Sequence, residues 1–324
     1  MGASSSGGPL EFCGGGGAVV GDPYLVCDEA SLRQLSTRAT GGRYFRLTQD
    51  ITLNGPWTVV PVFTGFFDGG GHTITGLSVT AAGNAGMFAD LITSHVHNLR
   101  LAAANVTGNT AGLLAGRLVG GLVEDVDVRG TVSSNGPSDT PAGGLVGQME
   151  AGTVTRINVL AAVTGSEAGG LVGRIQPMSN ITVSEVMVSG SVTGTQAAGG
   201  IAGRTLASVQ VPSLSHLRVD ATVANGASRG GLAGDCGSGT WATALVTGSV
   251  GSGGSAVASG GFGCTFQGVF WDSDTVGPTD DLFPGTTALT TLQAQNPNSY
   301  PPAFSVTIWV LSSNAYPTLA NVAP

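Results

Sequence analysis

Gly143-Gly144-Leu145-Val146-Gly147, followed by Gly169-Gly170-Leu171-Val172-Gly173, is the stretch on which the fold turns. The same cassette, small residue–Gly–apolar–apolar, recurs as Ala85-Gly86-Met87-Phe88, Ala111-Gly112-Leu113-Leu114, Gly199-Gly200-Ile201-Ala202, Gly230-Gly231-Leu232-Ala233 and Gly260-Gly261-Phe262-Gly263. Its second residue advances by 26, 32, 26, 30, 31 and 30 positions. A period of about 30 residues with no helical pattern inside it describes a solenoid whose turns stack on one another. The expected fold is all-β, a parallel β-helix of about eight rungs. Glycine in each cassette is expected to allow a tight corner or left-handed backbone.

Between cassettes the chain alternates with period two, as a strand with one buried face does. The pairs Leu77/Val79, Leu99/Leu101, Val126/Val128, Ile157/Val159, Val186/Val188 and Leu217/Val219 are expected to stack as interior ladders. The residues between them, Ser78, Arg100, Asp127, Asn158, Met187 and Arg218, point outward and vary in chemistry, which suggests a solvated face. A second strand is centred on Val106, Val132, Val163, Val192, Val223 and Val250. Its flanking residues are small and mostly hydroxylic, so Thr131, Ser133, Ser191, Thr193 and Thr222 are the candidate binding residues. The turn-rich insertion 135–141 should project as a loop beside them.

Four segments are expected: 1–11 as a linker, 12–66 as an N-terminal cap with the first strands, 67–268 as the repeats, and 269–324 as an irregular C-terminal cap. Asp28 can cap a short helix that buries Leu32 and Leu35. Trp271, Phe283, Trp309 and Tyr316 gather in the last segment with seven of the chain's fifteen prolines. Charged residues make up 10% of the chain, every basic residue is Arg, and the net charge is −8. That balance argues against nucleic acid and against electrostatic docking to an anionic membrane. No run of about 20 apolar residues suggests membrane insertion, and the opening residues lack a signal-peptide pattern. Cys13 with Cys27, and Cys236 with Cys264, are close enough in the chain and in the repeat to be expected as disulfides. They imply an oxidising compartment, and closing the first loop contributes about 3 kcal/mol.

The chain resembles bacterial surface proteins carrying the GLUG motif, which stands here as Gly144-Leu-Val-Gly147, Gly170-Leu-Val-Gly173 and Gly231-Leu-Ala-Gly234. Asp22-Pro-Tyr-Leu-Val26, Tyr44-Phe-Arg-Leu-Thr-Gln-Asp50 and Phe67-Asp-Gly-Gly-Gly-His72 look like the opening segment of such proteins. Phe270-Trp-Asp272 and Tyr316-Pro-Thr-Leu319 look like their closing segment. The resemblance implies a right-handed β-helix on a secreted or surface-anchored adhesin-like protein. Related repeats accompany immunoglobulin A-cleaving metallopeptidases, whose His-Glu-x-x-His helix does not occur here.

His95 and His97 can share a strand face, but no third metal ligand is evident by spacing. Asp68 is expected to satisfy turn amides and His72 to make a structural hydrogen bond. Glu124, Asp125 and Asp127 form the densest acidic patch, with Asp125 and Asp127 expected on one face near Arg100 and Arg156. A glycosidase or lyase would need such a convergent carboxylate pair; an exposed ion-pair ladder accounts for the patch equally well. Asp272, Asp274, Asp280 and Asp281 could hold calcium, with an Asp-rich turn as the simpler account. Aromatic residues cluster in the caps, where core packing explains them. The expectation is therefore a non-enzymatic extracellular β-helix without cofactor, an adhesin or stalk that binds a glycan or cell-surface ligand. A carbohydrate-active enzyme, a self-associating filament subunit and an ice-binding solenoid are the alternatives.

Overall fold

The computed structural model describes residues 12–136, 138–260, 263–277 and 283–322. Gly261, Phe262, Asp280 and Asp281 lie outside the described residues, as does the expected linker 1–11. The chain forms a parallel β-solenoid of about seven turns with very few helices. Its central strands are long because each continues around the corners of the coil. Phe88–Gly108 (β1), Ala115–Ser134 (β2), Val146–Gly169 (β3) and Ile181–Gly199 (β4) pair in parallel, each with the next.

Leu99, Val126, Ile157, Val186 and Leu217 stand one above another in the interior, each 2% exposed or less. Val96, Val123, Val154, Val183 and Leu214 form a second ladder, continued by Trp241. Val106, Val132, Val163, Val192, Val223 and Val250 form a third. The pair Leu77/Val79 belongs elsewhere than expected: Val79 stands under Val106, and the partner of Leu101 is Ile74. The glycine turn 69–71 inserts residues between Phe67 and Ile74, so the next apolar pair falls one strand further along.

At the central cassette glycines the expected tight corner forms without left-handed backbone. Gly144, Gly170 and Gly200 are not among the residues with left-handed backbone. They are confined by the next turn: an added Cβ would lie 2.1 Å from Gly170 O at Gly144, 2.1 Å from Gly200 O at Gly170, and 2.2 Å from Gly231 O at Gly200. The bend at these positions sends two consecutive side chains inward, so Leu145 and Val146 are both fully buried, as are Leu171 and Val172. Register also corrects two cassettes. Gly112 stacks on Gly143 rather than Gly144, and the top of the column is Ser255 and Ala258 rather than 260–263.

Left-handed backbone occurs at a corner with little glycine. Asn98, Asp125, Arg156, Glu185, His216 and Thr243, between the first two ladders on successive turns, have φ of 53°, 54°, 53°, 53°, 54° and 52°. Gly70 below and Gly268 above share this conformation at 59° and 62°.

The helix Glu29–Arg33 starts with a capping box from Asp28 and buries Leu32, as expected. The C-terminal segment, however, lies along the side of the coil. Leu245 and Phe270, which point outward, pack with Leu289, Ala294, Tyr300, Phe304, Trp309, Leu319 and Val322 against Met187. Arg218 donates to Pro317 O at 2.9 Å, stands 5.0 Å over the Tyr316 ring and is 7% exposed. The outward file from Arg100 to Arg218 is therefore covered at its upper end, where it turns apolar. Both expected disulfides are formed, each with a Cα separation of 6.0 Å.

Gly170→Ala should lower stability by about 3 kcal/mol or more, because the added carbon meets a backbone carbonyl that cannot turn aside. Thermal denaturation followed by circular dichroism measures it, against Ala161→Gly as a control for glycine content.

Candidate functional site

The expected hydroxyl column exists. Thr131, Ala162, Ser191 and Thr222 are exposed and stacked in register, and Ser133, Thr164, Thr193 and Ala224 form a parallel file across the intervening valines. Asn105 and Thr107 extend both files downward, and Ser249 donates to Thr222 Oγ1 at 3.3 Å above. The valines anchor the strand inward, so their neighbours are held outward by the pleat. The surface carries no charge along these files.

A second such face escaped the sequence reading. Thr153, Thr182, Ser213, Thr240 and Thr265 form one file, and Thr155, Ser184 and Ser215 the other. Thr155 and Ser184 hydroxyls lie 2.9 Å apart. The signal was present as Thr153-Val-Thr155, Thr182-Val-Ser184 and Ser213-Leu-Ser215, one corner before the better-marked ladder.

The acidic patch is reorganised by the left-handed corner. Asp125 sits on the corner itself, where Arg156 of the next turn bonds both its oxygens at 2.7 and 2.8 Å and also reaches Glu124. Asp127 lies beyond the corner in the outward file, between Arg100 and Asn158, and accepts from Arg129 at 3.2 and 3.0 Å. The two carboxylates thus do not share a strand face. They line one small cleft of about 160 Å³ with Arg100, Asn158 and, from the C-terminal segment, Asn321 and Val322. Each has an arginine partner.

His95 and His97 do share a face, with ring centroids 4.6 Å apart. His95 Nε2 lies 2.9 Å from Glu124 Oε1, and His97 Nδ1 lies 3.7 Å from Asp68 Oδ1. Among the described residues the one group of three mutually close metal-type ligands is Cys13, Cys27 and Asp28, whose sulfurs are joined in a disulfide. Asp68 accepts from Gly70 N at 2.8 Å, and His72 Nδ1 lies 3.4 Å from Asp50. Asp272 is fully buried and accepts from Asp274 N at 2.9 Å, from Thr291 Oγ1 at 2.8 Å and from the Tyr316 hydroxyl. Its oxygens tie the C-terminal segment to the coil. A buried carboxylate missed by the sequence reading, Glu167 (0% exposed), is held by Arg174 and, at 2.6 Å, by Arg204; Arg204 also reaches Asp235 at 3.0 Å.

No known family profile matches the chain. Over 154 residues, 41% of this chain, it is 34% identical to Halomucin of Haloquadratum walsbyi, and it spans 2% of that protein's length. The crystal structure of a putative immunoglobulin A1 protease from Bacteroides ovatus matches with a TM-score of 0.65 over 95% of each chain, at 16% identity. That likeness shows the fold: this is a parallel β-solenoid of the architecture found in the Bacteroides protein.

Two outcomes are expected. Glu167→Ala should lower stability by about 3 kcal/mol, because it removes the fully buried carboxylate that accepts from both Arg174 and Arg204 and leaves Arg204 with Asp235 and Arg174 with the Asp139 carbonyl; urea denaturation measures it. Burial pushes the His216 imidazole below its ordinary value of 6.5, against the opposing pull of Glu185. The stability due to neutral His216 is thus complete above that value and is lost as pH falls through the depressed one. His216→Asn keeps a residue suited to φ of 54° and should lose less stability than the parent between pH 7 and pH 5, in paired denaturation curves.

Proposed function

We propose that this chain is an extracellular surface β-solenoid, an adhesin or stalk element, that binds a glycan or cell-surface ligand through its flat strand faces. The observation that carries the reading is the pair of uncharged hydroxyl faces, repeated in register over successive turns. Stacked strands hold those hydroxyls at a spacing of about 4.8 Å, so one weak contact is repeated along the coil. The two disulfides suit an oxidising environment, and similarity to a protein named Halomucin supports an exposed setting. The arginines on Asp125 and Asp127 favour a structural use of that patch over acid–base chemistry.

The test is a triple variant, Thr131→Arg, Ser191→Arg and Thr222→Arg, compared with a second carrying Thr182→Arg, Ser213→Arg and Thr240→Arg. Both should keep the parent's circular dichroism, because all six side chains face solvent. One of them should reduce adhesion of the purified protein to cells or immobilised glycans at least tenfold. Unchanged adhesion in both would remove the strand faces from the reading. Turnover of a polysaccharide, lost in Asp125→Asn or Asp127→Asn, would replace it with an enzyme.

A further inference from the structure

On the lower turns the hydroxyl files of the second face give way to larger side chains. Below Thr153 the file continues as Leu122, His95, Phe66 and Tyr44, and its neighbour as Glu124, His97, Asp68 and Arg46. The sequence placed the aromatic residues of this region in core packing, yet Phe66 is 37% exposed and Tyr44 half-buried on the outer surface. Their rings stack at 4.4 Å and 8°. Val20 and Pro23, from the preceding loop, complete a cleft of about 370 Å³ lined also by Arg46, Asp68, His95 and His97.

The polar groups around this cleft are incompletely used. The Arg46 guanidinium reaches Asp68 only at 3.5 Å and, like the Tyr44 hydroxyl, makes no hydrogen bond within the described residues. The charges of Arg46 and Asp68 balance, and burial holds His97 toward its neutral form against the pull of Asp68. A charge-balanced cleft with an aromatic side, a guanidinium and a phenol hydroxyl free to donate, and a carboxylate with lone pairs to spare does not select an ion. It suits a compact ring with an apolar edge and adjacent hydroxyls.

We infer that the cleft between Tyr44, Phe66, Asp68 and His97 binds a neutral pyranose unit of a glycan. Asp68 accepts from ring hydroxyls, Arg46 and the Tyr44 hydroxyl donate, and the aromatic edges with Pro23 cover the apolar C–H side. This deepens the binding reading by giving it a ligand class and a second location, and rests on it only for the choice of a glycan.

The experiment is an array of neutral and uronic-acid-bearing glycans probed with the purified chain, with affinities of the strongest neutral hits measured by titration. The variants are Phe66→Ala, Asp68→Asn (which keeps an acceptor for Gly70 N), Tyr44→Phe and the two triple arginine variants above, each verified by circular dichroism. Neutral glycans should bind, Phe66→Ala and Asp68→Asn should each weaken them at least tenfold, and Tyr44→Phe should weaken them measurably. Neutral-glycan binding unaltered in Phe66→Ala and Asp68→Asn would overturn the assignment, as would binding restricted to acidic glycans or none on the array. Adhesion that the arginine variants abolish while the cleft variants leave it intact would defeat the cleft and spare the strand faces. Loss in the cleft variants alone would do the reverse.

Discussion

Main-chain hydrogen bonding from each turn to the next is the constraint to which the rest of this protein answers. Parallel pairing in register fixes the rise between turns, so any residue that needs more room than its column offers must be absent from that column. The cassette glycines are the result: at Gly144, Gly170 and Gly200 the carbonyl of the following turn occupies the place of a side chain. The same registration forces six non-glycine residues into left-handed backbone at one corner. Each costs about 1–2 kcal/mol relative to right-handed geometry. Arg156, Glu185 and Thr243 have no intrinsic preference for that conformation, so the hydrogen bonds and buried ladders on both sides of the corner must hold them there.

Much of this architecture was legible because apolar periodicity and glycine spacing are directly physical. The ladder through Leu99, Val126, Ile157, Val186 and Leu217, the capped helix after Asp28 and both disulfides follow from local pattern and geometry. The misplacements share a cause. Alternation reports which way a side chain points but not which strand it belongs to, so Leu77/Val79 fitted the wrong ladder, and the second hydroxyl face passed unnoticed beside a stronger apolar signal. The corner was invisible for a different reason. Asn98, Gly70 and Gly268 mark it at its lower and upper turns, but the aspartate, arginine, glutamate, histidine and threonine between them do not form a recognisable column. Likewise, nothing local says that an outward Met187 or Phe270 is to be covered by chain arriving from residues 289–322.

The outer surface divides by charge along the coil. In the middle turns, carboxylates and guanidinium groups compensate one another both between levels, as Asp125 with Arg156 and Glu167 with Arg204, and within one, as Glu167 with Arg174 and Asp127 with Arg129. The strand faces beside them are left to small hydroxyl side chains. A solenoid repeats whatever its outward files carry. Pairing each of these carboxylates with a nearby arginine keeps an acidic chain from building a continuous column of like charge.

The two covalent links lie near opposite ends of the stack. Each turn of a solenoid is stabilised mainly by its neighbours, so a terminal turn has support on one side only and is the first to open. Cys13–Cys27 ties the segment preceding the first stacked strands, and Cys236–Cys264 ties an upper turn to the one above it. Opening from the upper end must therefore stall at Cys236–Cys264 while that bridge is intact, whereas Cys13–Cys27 holds the N-terminal segment together as a unit. In a reducing environment the same coil would become vulnerable progressively, from its ends toward its middle, and a protease would find its first purchase there.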